Sequence, residues 1–208
     1  MRIIRQSSFA AVPWKNGGGV THEAIRVPPD GDSFQWRVSV AQIDASGPFS
    51  DFAAYKRFMV LLKGAGVVLK FSSRAGPAPS GGPALRVREL RRVGDLEEFD
   101  GGLATQCELL NGPCVDLNLM VSKTLPEVRA HVEVLRQPWS PHLESAESML
   151  VFPIDSNVQL RSGGGTHLLE PWDLALISGR EDRPVHISAH DGGEAAGAVK
   201  VFLATLPG

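Results

Sequence analysis

The sequence predicts a mostly-β protein built from two similar antiparallel units, and three observations carry that expectation. Gly (22) and Pro (15) are scattered along the whole chain and leave only short segments between them. Several of those segments alternate apolar and polar residues with period two, as half-buried strands do. A weak internal repeat, at an offset of 91 residues, lays one set of strands on another. Long capped stretches with a 3.6-residue period are missing.

In chain order, Phe34–Val40 sets Phe34, Trp36, Val38 and Val40 on one face against Gln35, Arg37 and Ser39 on the other. Residues 72–83 hold only Ser, Arg, Ala, Gly and Pro, and read as a mobile surface loop between two strands. Asn111-Gly112 is a two-residue hairpin signal that sets Cys114 opposite Leu109 and Cys107 opposite Asp116. Two cysteines are too few for a disulfide framework and read as reduced packing residues. Val115–Leu119 and Val128–Val134 alternate as strands, while Gly163–Gly165 and His190–Ala198 read as loops. In the repeat, Met59-Val60-Leu61 falls on Leu150-Val151-Phe152, and Val67 and Leu69 fall on Val158 and Leu160. Closed barrels or double-sheet jelly rolls would remove the exposed edges of two such units.

The balance of charge narrows the partners. With 208 residues, 21 Lys+Arg against 23 Asp+Glu give a net charge of -2, without the basic footprint that nucleic-acid binding needs. No apolar run approaches a membrane span, since Lys63 interrupts the best one. Met1–Gln6 lacks the apolar core of a secretory signal, so a cytoplasmic protein is expected.

The most unusual stretch is Pro13-Trp14-Lys15-Asn16-Gly17-Gly18-Gly19-Val20-Thr21-His22-Glu23. Three glycines permit a sharp turn or a close approach of backbone to ligand. Neither a phosphate loop nor a dinucleotide fingerprint fits their spacing. Beyond them, period two sets Thr21, Glu23 and Ile25 on one face and Val20, His22 and Ala24 on the other. These polar faces, with those of Arg37 and Ser39 and of Asp116, Asn118 and Met120, would be solvated in an open sandwich. In a barrel with a ligand at its mouth they would line the lumen, where Lys15, Arg37 and Arg57 would meet Glu23 and Asp116. Buried charges persist when paired or completed by a ligand, and guanidinium forks suit a small carboxylate or zwitterion. Among the six histidines, His186 and His190 diverge at a turn, and no His-x-His followed by Glu occurs. No metal and no cofactor is expected, and without a G-x-S-x-G elbow a hydrolase of that type has no support.

Trp14–Glu23 resembles the HutD/Ves family. Further matches follow in order at Trp36–Ala41, Gly47–Ser50 with Phe52, Arg57 before Phe58–Leu62, Phe99-Asp100-Gly101, Gly112-Pro113 and Asp116–Met120. The likeness is dense over residues 11–121 and looser to about residue 205. It implies a bicupin: residues 1–121 as a cupin-like barrel with the ligand pocket, and 122–208 as a second, structural half. It also implies an accessory or regulatory role in bacterial histidine utilisation, binding an anionic intermediate such as urocanate or formylglutamate. Carried onto matching positions, the pocket residues are Lys15, Asn16, Gly17, Gly18, Thr21, Glu23, Arg37, Ser39, Arg57, Asp116 and Asn118. Lys56 departs from the pattern, standing where the family usually has an acidic residue. Bicupins also make a homodimer an expectation.

Two functions follow from one cavity. A non-enzymatic binder would hold an anionic metabolite between Lys15, Arg37 and Arg57. A metal-free isomerase or hydro-lyase would use Glu23 and Asp116 as acid and base. A protein–protein module built on residues 72–83 has only loop composition behind it.

Overall fold

A computed structural model of the chain describes residues 1–14, 17–31, 33–73, 86–162, 164–180, 184–190 and 198–207. Lys15, Asn16 and the bulk of the predicted loops at 72–83 and 190–198 therefore lie outside the described residues. In chain order the strands are β1 (Arg2–Ile4), β2 (Ala10–Pro13), β3 (Gly19–Val27), β4 (Trp36–Ile43), β5 (Gly47–Pro48) and β6 (Tyr55–Lys63). There follow β7 (Val67–Ser72), β8 (Arg86–Leu90), β9 (Leu96–Asp100), β10 (Ala104–Leu109), β11 (Cys114–Ser122) and β12 (Arg129–Leu135). The chain ends with β13 (Glu147–Pro153), β14 (Val158–Ser162), β15 (Gly165–Leu169), β16 (Leu174–Ser178), β17 (His186–Ala189) and β18 (Val199–Pro207). One 3-10 turn at Gln6–Ser8 is the only helical element described, and no described helix is long and apolar enough to cross a membrane.

The strands form two compact units, Ala10–Leu125 and Met1–Phe9 with Pro126–Gly208. In the first, a six-stranded sheet ordered β2-β3-β4-β11-β6-β9 faces a four-stranded sheet ordered β5-β10-β7-β8. All pairings are antiparallel. Ile43, Met59, Leu61 and Cys114 from the larger sheet pack on Val67, Leu69, Phe71, Leu90 and Cys107 from the smaller one. Phe58, Val60, Leu117 and Leu119 point the other way and are also fully buried. Burial on both faces is why Phe58–Leu62 reads as an unbroken apolar run instead of alternating.

The second unit orders β1-β16-β13-β18-β12 in one sheet and β15-β14-β17 in the other. Seven strands of each unit follow the same plan: β4-β11-β6-β9 corresponds to β12-β18-β13-β16, and β10-β7-β8 to β17-β14-β15. The repeat read from sequence thus coincides with a repeated topology, but its register is one residue off in the first strand. Met59 and Leu61 face the core of their unit, whereas in β13 the core-facing residues are Met149 and Val151 rather than Leu150 and Phe152. Chemical likeness matched apolar residues on opposite faces, an error that period two makes easy where both faces are buried.

Three further expectations are corrected by the ladders. Each unit is a pair of open sheets among the described residues, not a closed barrel, because the two sheets have separate hydrogen-bond ladders. β10 and β11 do not form the Asn111-Gly112 hairpin. β10 pairs with β7 and β5, β11 pairs with β4 and β6, and the turn connects one sheet to the other. Cys107 consequently lies opposite Leu69 and Cys114 opposite Ile43, both thiols within the core. Residues 1–9 do not belong with the first unit either: β1 pairs with β16, and Arg5 holds Asp173 at 2.6 Å.

Candidate functional site

The inner face of the six-stranded sheet changes character along its length. At one end Ile43, Leu61 and Cys114 belong to the core, and at the other the same face carries Arg37, Ser39, Arg57, Asp116 and Asn118. These polar residues line a cavity of about 570 Å³, large enough for a small metabolite. Register explains the convergence. Ser39 lies opposite Asn118 and Glu23, and Arg37 opposite Met120, which itself lies opposite Arg57. Four adjacent strands thereby aim their polar positions into one space.

At the cavity floor three side chains form a relay. Arg57 donates to Asn118 Oδ1 from both Nε (3.2 Å) and Nη2 (2.9 Å). Asn118 Nδ2 donates in turn to Asp116 Oδ2 at 2.6 Å. Asp116 is 1% exposed and Arg57 and Asn118 5% each, so the relay is buried. The Arg57 guanidinium also lies 4.9 Å from the ring of Phe49, 5.0 Å from Phe99 and 5.7 Å from Phe52, an aromatic setting that suits a weakly hydrated cation. Burial disfavours both charges. It lifts the Asp116 carboxyl to about 7, against the opposing pull of Arg57 and Asn118, and lowers Arg57 to about 10.

Nearer the opening, Glu23 is the anionic hub. Its Oε2 lies 3.2 Å from Arg26 Nη2 and 3.8 Å from Arg37 Nη1. Both guanidiniums stand over Phe34, at 5.5 and 5.2 Å, and Phe34 stacks on Tyr55 with centroids 4.1 Å apart. Arg37 additionally donates to Met120 Sδ at 3.4 Å, and burial lowers its pKa. Trp14 ties the glycine turn to the wall by donating from Nε1 to Thr21 Oγ1 at 2.8 Å.

Thr21, Glu23, Arg37, Ser39, Arg57, Asp116 and Asn118, all singled out from the sequence, line this one cavity. Lys15 and Asn16 lie outside the described residues. Gly17 and Gly18 are not among the lining residues. Gly17 holds a left-handed φ of 70°, and a Cβ on Gly19 would meet the Gln42 carbonyl oxygen at 2.1 Å. The glycines thus shape the turn and let β3 lie against β4.

Sequence reasoning missed Arg26. Strict alternation from Glu23 puts Ile25 in the cavity face and Arg26 outside, but the register shifts at Ala24: Glu23 pairs with Ser39, and Ile25 with Val38. This bulge turns Ile25 away and brings Arg26 opposite Arg37. The apolar wall of Phe49 and Phe52 was also missed as part of the site. Its signal was present in the Gly47–Ser50 and Phe52 matches, which period two could not orient because they lie outside long strands.

Comparison with known proteins identifies the group. The HutD family model matches residues 6–196. The chain belongs to the HutD family. An uncharacterised 21.2 kDa protein from the hutC 3' region of Pseudomonas putida is 32% identical over 184 residues, spanning 88% of this chain and 89% of that protein. A conserved protein of unknown function from Pseudomonas aeruginosa PAO1 superposes with a TM-score of 0.81 at 27% identity, over 100% of this chain and 98% of that one. HutD from Pseudomonas fluorescens SBW25, solved in a formate condition, gives 0.75 at 27% identity, over 100% and 99%. Oxalate decarboxylase from Lactobacillus farciminis, a formate complex, shares the fold alone: TM-score 0.68 at 8% identity, over 99% of this chain and 85% of that one. The chain thus has a cupin-like, mostly-β fold.

Proposed function

We propose that this HutD-family protein binds a small anionic metabolite of histidine utilisation in the cavity of its first unit, as an accessory or regulatory protein and not as a pathway enzyme. One observation carries the reading: three guanidiniums, Arg26, Arg37 and Arg57, converge on a cavity of about 570 Å³ that holds two carboxylates, Glu23 and Asp116. An added anion suits such a site, because burial weakens hydration of the cations and strengthens their pull on a carboxylate. The family is associated with histidine utilisation, and the Pseudomonas putida relative is named for its place beside hutC. Urocanate and formylglutamate are the candidates, each carrying a carboxylate and a compact body that Phe49 and Phe52 can cover. The repeated seven-strand plan supports reading the chain as a bicupin whose second unit is structural.

A thermal-shift panel with urocanate, formylglutamate, histidine, glutamate and formate tests this. A ligand at about a hundred times its Kd adds roughly 2.7 kcal/mol, which for a chain of this size raises Tm by about 5–10 °C. The expected result is a selective shift with urocanate or formylglutamate that is lost in Arg37→Ala. No shift with any acid, or a shift unchanged in Arg37→Ala, overturns the reading.

Asp116 favours a second reading, an isomerase or hydro-lyase. A buried carboxyl lifted to about 7 can take or give a proton near neutrality. Glu23 is engaged by two arginines, so acid–base work falls to Asp116. Turnover of a bound acid, lost in Asp116→Asn with binding retained, would favour the enzyme.

A further inference from the structure

Four buried side-chain polar atoms have no hydrogen-bond partner among the described residues: Arg26 Nε, Arg37 Nε, Glu97 Oε1 and Asp116 Oδ1. Glu97 Oε1 is answered by an ion pair with Arg86 at 2.5 Å. The other three all belong to residues lining the cavity of the first unit. Buried polar groups are paired in the great majority of cases, and an unpaired one costs free energy, so three in one place call for a ligand that completes them.

Their chemistry differs, and the difference describes that ligand. Arg26 and Arg37 are register partners on β3 and β4, and each offers an N–H. Asp116 offers an acceptor, and the relay fixes which oxygen is open. Asn118 Oδ1 receives two N–H groups from Arg57, so its amide cannot flip; its Nδ2 must then donate to Asp116 Oδ2. Oδ1 is left as an acceptor with nothing to accept from.

We propose that the cavity selects a bifunctional acid: a carboxylate received by Arg26 and Arg37, joined to an N–H or O–H group that donates to Asp116 Oδ1. This rests on the small-acid reading above and narrows it. A simple carboxylate would satisfy the arginines and leave the buried acceptor unanswered. Asp116 is therefore the specificity-determining residue, and sites built to hydrogen-bond a donor reject analogues that lack it far more strongly than apolar pockets reject a missing methylene.

Two matched pairs test it by calorimetric titration at pH 8: urocanate against 3-(2-furyl)acrylate, and N-formylglutamate against its N-methyl derivative. Each pair keeps the carboxylates and alters the N–H. The expected result is at least one pair in which the N–H acid binds about tenfold or more tightly. In Asp116→Asn the new amide turns its oxygen to Asn118 Nδ2 and its NH2 to the cavity, replacing acceptor with donor. The preference should then fall below about twofold, whatever the shared change in affinity from the lost negative charge. Equal binding within both pairs overturns the donor requirement and leaves acid binding standing, as does a preference unchanged in a folded Asp116→Asn. If that variant does not fold, the wild-type ratios decide. Binding of none of the four acids overturns both this inference and the small-acid reading.

Discussion

The two units share a seven-strand plan and place opposite chemistry on its inner face. β11 and β18 are both nine residues long, and each begins with a core residue paired to another, Cys114 with Ile43 and Val199 with Leu135. Counting inward from that anchor, Asp116 and Asn118 correspond to Val201 and Leu203, and Arg57 to Met149. The second unit packs all three of its residues into an apolar core cluster. The first buries a cation, an amide and a carboxyl instead, and the cavity opens beside them. Topology is therefore indifferent to the site. Three side chains, and the strands β2 and β3 that extend only the first unit's sheet beyond β4, separate a packed interior from a polar pocket.

The largest effect comes from exchanging those three residues. Arg57→Met alone strands Asp116 without its cation, and losing one partner of a buried pair costs about 3–5 kcal/mol. The triple variant Arg57→Met, Asp116→Val, Asn118→Leu removes the whole relay and installs the second unit's residues. Its stability should match wild type or exceed it by roughly 1–4 kcal/mol, as when buried ion networks become apolar. Acid binding should vanish. Urea denaturation and calorimetry check both, and a triple variant less stable than Arg57→Met would break the correspondence between the units.

Asp116 has no titrating counterpart at Val201, which makes the comparison pH-dependent. Burial raises its folded pKa to about 7, so between pH 4 and 7 the folded state binds more protons than the unfolded state. Stability relative to Asp116→Asn is then greatest near pH 4, falls as pH rises, and levels out above about 7. At about 1.4 kcal/mol per pKa unit, the loss is on the order of 3–4 kcal/mol. The charged or titratable groups around Asp116 are Arg57 on β6, Arg37 on β4, Glu23 on β3 and Cys107 on β10, whose thiol burial pushes up to about 12. Thermal denaturation of both proteins across pH 4–8 measures the difference; parallel curves would show that the carboxyl is not held by burial.

In the opposite direction, Leu203→Asn places one member of the relay into the second unit without its partners. No guanidinium stands at Met149 to fix the amide, so lost packing and an unpaired polar group should together cost about 3 kcal/mol. A cost below about 1 kcal/mol would mean that this face is not packed as a core.

What could be read in advance follows the same division. The strand pattern was legible because alternation survives wherever only one face is buried, as in β7. The site residues were legible because Glu23, Arg37, Asp116 and Asn118 are polar at inward positions of strands that should otherwise be apolar there. The pairing of β10 was not, since Asn111-Gly112 specifies a turn and not the partner beyond it. Nor was the register of the repeat, where β6 and β13 are apolar on both faces and a one-residue slip leaves the sequence looking the same.

Arg26 gives the smallest and most local test of the comparison. It reaches the cavity only because Ala24 forms a bulge in β3, a strand with no counterpart beside β12, where the second unit's sheet ends. Its guanidinium is partly exposed and already engaged by Glu23 and by the Gly31 carbonyl at 2.9 Å. Solvent therefore screens it more than Arg57. Arg26→Gln should weaken binding of the acid about 3- to 10-fold and barely change Tm, while His22→Gln on the opposite face leaves affinity within twofold. Deleting Ala24 removes the bulge but keeps the placement, because Ile25 then follows Glu23 directly, still opposite Val38, and Arg26 stays opposite Arg37. The deletion should therefore leave affinity within about twofold of wild type. A loss as large as that in Arg26→Gln would mean that the bulge itself, and not only its register, holds the guanidinium over the cavity. Unchanged affinity in Arg26→Gln would confine the strand's contribution to Thr21 and Glu23.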